Sequence, residues 1–394
     1  MKKRILEITF WKALLVVILL TGLYAAFVRY TRGLGAATNL SDHFPWGLWV
    51  GFDVLCGVML AAGGFLLTAT VHLFNLKKFK PIVRPTLLTA FLGYLLVVVA
   101  LLFDLGRPYR IWHPLVMWNP HSVMFEVAWC VMLYTMVLAL EFAPIAFKGL
   151  RSERWATVRH AVAIPLVIAG VILSTLHQSS LGSLYLIVPD KLHPLWYSPL
   201  LPVFFFISAV AVGLAMTIFE SWMSSKAFHK QLELPLLQSL GRVLLVVLGV
   251  YAVLRFEDLL NRGVLPMLLY PAYETDLFYL EVVIGLLLPI ALLMAPRIRR
   301  TASGLYLCSV LVLLGFVTNR LNVSITGMEA AAHVRYIPRW TEMAVTASIV
   351  AAGFAIFAMA VKYLPIFPEG ARRGTAPTAA PSAVGNERLG VAGL

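Results

Sequence analysis

Ten stretches of this chain are long and apolar enough to cross the hydrocarbon of a bilayer, and they limit the fold more than any single motif does. They lie near residues 11–30, 47–73, 84–104, 121–147, 159–177, 199–225, 237–257, 276–296, 302–320 and 341–364. At a rise of about 1.5 Å per residue, some 20 residues cover a hydrocarbon core of about 30 Å. No water reaches the backbone there, so each segment has to satisfy its own N–H and C=O groups, as a helix does. Composition agrees: 60% of the 394 residues are hydrophobic, 13% are charged and the mean hydropathy is +0.85. Soluble domains carry about 25% charged residues. The expectation is an all-α polytopic integral membrane protein with one transmembrane domain, 1–368. The Pro/Gly-rich, polar stretch 369–394 is expected to form a disordered cytoplasmic tail.

Basic residues in the short connections give an orientation. With the amino terminus in the cytoplasm, the inner ends hold 22 of the 32 Lys and Arg residues and 7 of the 19 acids, leaving +15 inside and −2 outside. Both termini are then cytoplasmic, and MKKR with the run behind it reads as a retained anchor. The overall charge of +13 is thus a topology signal that needs no nucleic-acid partner. Cys56, Cys130 and Cys308 stand singly in apolar runs without a CxxC pair, so alone they cannot hold an iron–sulfur cluster or a structural zinc.

Chemistry concentrates where run three passes into run four, at DLGRPYRIWHPLVMWNPHSVMFE, residues 104–126. Asp104 stands three residues before Arg107, within salt-bridge reach. Trp112, His113, Trp118, Asn119, His121 and Ser122 follow, and Glu126 lies about 8 Å below His121 on the next helix. Trp46, Trp49 and Asp53 belong to the outer end of run two, and His177 closes run five on the same side. Together these residues offer apolar walls, a few hydrogen-bond donors and titratable groups, as a small-molecule site does. They suit a quinone, which takes up protons on reduction. Tyr94, deep in run three, and His72, Glu141 and Glu220, near inner ends, could carry protons toward it. Trp and Tyr at helix ends ordinarily anchor the membrane interface. His43, His193 and His333 read as exposed loop residues. Trp112-His113-Pro114-Leu115 is echoed by Leu192-His193-Pro194-Leu195-Trp196 in another outer loop. Arg255, Glu257, Asp258, Glu274, Asp276 and Glu281 form a further outer cluster, read as a docking face or internal salt bridges.

Two rivals stay open at this level. Haem b needs two histidines at matching depth on facing helices, and His121 with His177, or His72 with His160, meets the depth condition. A secondary transporter would place polar groups and broken helices near the midplane, whereas here the polar residues collect at the outer ends.

DLGRPYRIW…WNPHSVMFE, FPWGLWVGFDVLCGVMLAAGG and STLHQSSLGSLYLI, in that order, resemble the NrfD/PsrC family of quinone-reactive membrane subunits. The likeness runs through essentially the whole chain and is greatest to the branch serving Hyb-type nickel–iron uptake hydrogenases. It implies a bundle of ten helices containing two four-helix bundles, with no haem or iron–sulfur cluster in the chain. It also implies menaquinone or ubiquinone as electron acceptor in a bacterial inner membrane. The implied partners are a ferredoxin-like iron–sulfur subunit on the periplasmic side and the small and large hydrogenase subunits. Tyr94, Glu126, His177 and Glu220 are the implied proton-transfer residues.

Overall fold

A computed structural model of the chain describes residues 10–147, 153, 156–229 and 231–367. The MKKR segment, Lys148, Arg151, Arg154, Lys230, the Arg159 and His160 side chains and the tail 369–394 lie outside the described residues. Among the described residues, nine helices are long and apolar enough to cross a membrane. In chain order these are α1 (Phe10–Arg32), α2 (Trp49–His72), α3 (Lys77–Asp104), α4 (Val123–Ala146), α5 (Ala156–Ser183) and α6 (Leu201–Ala227), then α8 (Tyr273–Met294), α9 (Ala302–Ala332) and α10 (Trp340–Tyr363). Between them α7 (Leu234–Asn261) is a further helix of 28 residues. It rises about 42 Å and packs on α6 and α8 as the tenth long helix of the bundle. The chain is an all-helical polytopic membrane protein.

Local chemistry sets the ends. Ser122 accepts from Phe125 N at the start of α4, and Thr301 accepts from Gly304 N at the start of α9. Pro202 and Pro235 stand in the first turns of α6 and α7, where a missing N–H costs nothing. Two helices outrun expectation. α5 extends to Ser183, beyond 177, because Thr175, Ser179, Ser180 and Ser183 turn their hydroxyls onto carbonyls one turn back. α9 continues through TNRLNVSIT to Ala332 because its polar residues find buried partners.

α2, α3, α4 and α5 form one ring of packed helices, and α6, α7, α8 and α9 form a second. This is the expected pair of four-helix bundles. The rings meet where α2 touches α6 and α9 and where α5 packs on α6, and a Cβ on Gly213 would stand 2.8 Å from Gly63 N, so the α2–α6 seam is backbone on backbone. α1 and α10 pair with each other and lean on α3. Connections 33–48, 105–122, 184–200, 262–272 and 333–339 share one end, the long-loop face. Within the helices, Trp49–Cys56, Leu280–Leu287 and Asn322–Thr326 widen into π-helical turns, which often accompany functional positions.

Candidate functional site

Inside the first ring, Tyr94 of α3, Tyr134 of α4, and Ser174 and His177 of α5 meet. The Tyr94 and Tyr134 rings lie edge to face at 4.6 Å between centroids, and His177 is 5.8 Å from Tyr94. All four are sealed from solvent. Ser174 lies beside both tyrosine hydroxyls. Even so, none of the three hydroxyls and neither His177 nitrogen reaches hydrogen-bonding geometry with a protein partner among the described residues. Gln178 donates to Val58 O of α2 at 3.1 Å and leaves its own Oε1 without a partner. A buried polar atom left unpaired costs about 1–3 kcal/mol, so an apolar core would be cheaper here. What the arrangement offers in return is a line of exchangeable protons in hydrocarbon surroundings.

The structure separates residues that the sequence suggested would converge. His177 does not end α5; it lies six residues inside it, about 9 Å below the helix end. Asp53 is on the other side of α2, where Thr346 of α10 donates to its Oδ2 at 2.7 Å. Glu126 stays half-buried in the first turn of α4 above Cys130, and no hydrogen bond joins it to His177 among the described residues. Glu220 is buried near the other end of α6, where Thr89 of α3 donates to it at 2.8 Å. Asp53 and Glu220 both line a cleft of about 420 Å³ between α2, α3, α6 and α10. Glu141 is half-buried on α4, and His72 is exposed with Nδ1 3.0 Å from Thr68 O.

Asp104 and Arg107 form no ion pair among the described residues, and Arg107 is exposed. A cation from α1 serves instead. Buried Arg29 donates to Phe103 O and Leu105 O, each at 2.7 Å, and faces the Asp104 charge. Trp49 is buried with Nε1 on Glu342 O of α10, while half-buried Trp46 meets Tyr185 edge to face at 5.8 Å. Glu342 accepts from Asn39 N, Arg339 N and the Tyr336 hydroxyl, which pins α10 to the loops 33–48 and 333–339. Burial and the Glu342 carboxylate both push the Tyr336 hydroxyl well above its ordinary range.

The loop 105–122 covers little. Trp112, Trp118, Asn119 and His121 are exposed, and His113 and Ser122 are half-buried. Its sequence echo is also a structural one. Val116 N and Met117 N close on His113 O at 3.0 and 2.8 Å, as Trp196 N and Tyr197 N close on His193 O at 2.9 and 3.0 Å. Pro114 O then takes Trp129 Nε1, and Pro194 O takes an Arg262 guanidinium N–H. The second copy is packed away, with Leu195 and Trp196 fully buried, whereas Trp112 and Trp118 of the first are 52% and 65% exposed.

In the second ring Arg255, Asp258 and Glu281 are buried, not displayed as a face. Glu281 accepts from Trp196 Nε1 (2.9 Å), Asn319 Nδ2 (2.7 Å) and Asn322 Nδ2 (2.9 Å). The Asn319 carbonyl accepts from Arg320, whose guanidinium also meets Ser208 and lies 3.6 Å from the centre of the Phe205 ring. Arg255 donates to Leu195 O, and Asp258 pairs with Arg262 at 2.8 Å. Glu281, Asn319, Asn322 and Arg320 form one connected network, as an internal brace does, while Arg255 Nε has no protein partner among the described residues.

His121 and His177 do not meet as a haem pair: His121 is exposed on a loop while His177 is sealed inside α5. The His72–His160 pairing lies partly outside the described residues. No group of three or more His, Cys, Asp or Glu able to hold a metal occurs among the described residues.

Likeness to known proteins places the chain. The family model described as Polysulphide reductase, NrfD matches residues 36–332, which is α2 to α9. A protein of Nitratidesulfovibrio vulgaris strain Hildenborough is 40% identical over 366 residues, covering 90% of this chain and 93% of that one. The probable Ni/Fe-hydrogenase 2 b-type cytochrome subunit of Escherichia coli K12 is 33% identical over 345 residues, covering 86% and 88%. The menaquinone reductase integral membrane subunit of N. vulgaris Hildenborough is 29% identical over 389 residues, covering 91% and 92%. By the extent of the family match and the identity to these full-length relatives, the chain belongs to the NrfD family of integral membrane proteins.

Proposed function

We propose that this chain is the quinone-reactive membrane subunit of a respiratory complex that passes electrons from hydrogen oxidation to menaquinone or ubiquinone. The observation that carries the reading is the set of sealed polar groups around His177 and Tyr94 that reach no good hydrogen-bonding geometry with protein among the described residues, lying below the long-loop ends of α2 and α3. Quinone reduction consumes protons at a site reached from the membrane. This cluster supplies groups that exchange protons, while Asp53, on the α10 side of α2, and Asp104, at the end of α3, stand nearer the surface. The basic residues put the long loops outside, in the periplasm of an inner membrane, with both termini in the cytoplasm.

On this reading the electron donor is a ferredoxin-like iron–sulfur subunit bound to the small and large subunits of a nickel–iron hydrogenase. It seats on the exposed loop 105–122. Arg107, Trp112, His113, Trp118, Asn119, His121 and Ser122 then close over the quinone head once the partner is in place, with Trp46 and Trp49 beneath. His177 and Tyr94 hand protons upward, Glu126 works at the loop end of α4, and Glu220 works at the far side of the membrane. Hydrogen as the electron source is supported by the 33% identity to the E. coli hydrogenase 2 subunit, and quinone as acceptor by the menaquinone reductase relative.

The test uses membranes carrying the intact complex. His177→Gln should lower hydrogen-to-quinone electron flow about 10²-fold, the worth of a proton-transfer group. Hydrogen oxidation with a soluble viologen acceptor should be unchanged. Unchanged quinone reduction would remove His177 from the reaction. A reduced-haem band at one haem per purified chain would instead favour a b-type cytochrome anchor.

A further inference from the structure

The cleft that holds Asp53 and Glu220 is not part of the first ring's interior. Its walls are α2, α3, α6 and α10, and α10 lies beyond the residues 36–332 that the family model matches. It is thus a property of the longer chain. On α6 its lining runs from Met216 to Phe228, a rise of about 18 Å. Phe219, Phe354 and Phe357 give it aromatic walls, and Gly93 and Gly353, which present no side chain, line it as well. Phe354 and Met223 line it while remaining 62% and 39% exposed, so it opens on the lipid-facing flank of the molecule.

Its polar content selects the occupant. The charged side chains in the lining are two carboxyls, Asp53 toward the long-loop end and Glu220 toward the other, and no Lys or Arg is in the lining among the described residues. A phospholipid chain would bring a phosphate to the mouth of a cleft that offers only acids, an unfavourable pairing. A hydrocarbon chain with a neutral, hydrogen-bond-accepting head meets no such penalty.

We infer that this cleft seats the isoprenoid tail of a membrane quinone, with the head directed toward Asp53 and the tail running along α6 and α10 toward Phe228. The inference rests on the quinone reading above and deepens it: α10 makes the subunit selective for long-tailed quinones. Apolar contacts with Phe219, Phe354 and Phe357 hold the chain, and Asp53 marks where the tail ends and the reactive head begins.

Two measurements on the intact complex in native membranes test it. In the first, a menaquinone carrying a diazirine on its tail is photolysed and the labelled peptides are mapped. Labelling should fall on α6 and α10 and be suppressed by excess unlabelled menaquinone. Labelling confined to other helices would overturn the inference, as would labelling of α6 and α10 by a diazirine phospholipid that menaquinone does not displace. In the second, Gly353→Leu and Ala358→Phe, both on the α10 wall, fill the cleft. Each should cut kcat/KM for a long-tailed quinone by about tenfold or more, the worth of a few apolar contacts, while a tailless analogue is reduced at the wild-type rate. Equal rates with both substrates in both variants would refute the tail site. Loss of reduction of both substrates would also count against it, because filling the tail segment should leave the head, at the Asp53 end, undisturbed. A wild-type complex that reduces neither quinone would sink the quinone reading itself, and the labelling pattern still decides whether the cleft takes an isoprenoid chain.

Discussion

Replacing Glu281 by Gln keeps the shape of the side chain and removes its charge, which makes it a sharp probe of the second ring. The carboxylate takes two N–H groups on Oε2, from Trp196 and Asn322, and one on Oε1, from Asn319. A glutamine has one oxygen, so its best orientation keeps the pair and turns NH2 toward Asn319. Asn319 cannot flip to meet it, because its carbonyl already accepts from Arg320 at 2.8 Å. The least loss is therefore one charge-assisted hydrogen bond, about 1.5–3 kcal/mol. The fully buried Arg320, linked to Glu281 through Asn319, also loses a nearby counter-charge, which adds to that loss. Denaturation of the purified subunit in bilayers should show a loss of that size. Glu281→Gln combined with Arg320→Met should recover part of it, with a coupling of about 0.5–3 kcal/mol. A single variant within about 0.5 kcal/mol of wild type, or strictly additive effects, would refute the argument that this network braces α6, α8 and α9.

Three other outcomes follow from packing and titration. Gly285→Ala drives a Cβ into the Gly315 backbone where α8 crosses α9 and should destabilise by about 1–3 kcal/mol or more. Gly170→Ala meets Val137 and Tyr134 at 3.5 and 3.6 Å and should be neutral or gain up to about 1 kcal/mol in denaturation of the same preparation. Burial lowers the pKa of His193, in the loop after α5, below the ordinary 6.5, with Glu274 opposing, and its Nδ1 accepts from Leu195 N. The unfolded chain then binds the proton first as pH falls. The contribution of His193 is complete above about pH 6.5 and is lost below it. His193→Gln should flatten the decline in thermal stability between pH 7 and pH 5, and an unaltered slope would exclude this residue as its source.

Helices were legible because hydrocarbon leaves a backbone little choice, and the apolar runs marked most of their ends to within a few residues, α5 and α9 excepted. The depth of His177 was not. STLHQSS reads as a helix end by polarity, whereas four of its neighbouring hydroxyls bond back along the helix and carry it further. Arg29 escaped notice because it sits in an otherwise ordinary first span, and its use depends on α1 lying beside the end of α3. Asp104 and Arg107 are close in sequence, but the chain turns between them. Tyr134 and Ser174 looked like routine helix residues until α3, α4 and α5 brought them to Tyr94. The polar letters of TNRLN in run nine were a usable signal: charges and amides inside an apolar run require partners, and those partners are Glu281 and Ser208. Nothing in a linear string shows that α10 closes a cleft against α6.

The wide turns in α2, α8 and α9 have a consequence for how this chain compares with its kin. A π-helical turn is an α-helix with one residue added, so everything on one side of it is rotated by about 100° relative to the other. Asp53, Glu281 and Asn322 all sit on such turns. A kindred chain one residue shorter at that point would keep the same neighbouring letters yet aim its acid at a different helix. For Asp53 that swing exchanges the α10 side of α2 for another. Alignment of letters alone therefore does not transfer the role of these acids from one chain to the next; the residue count through the turn has to match as well.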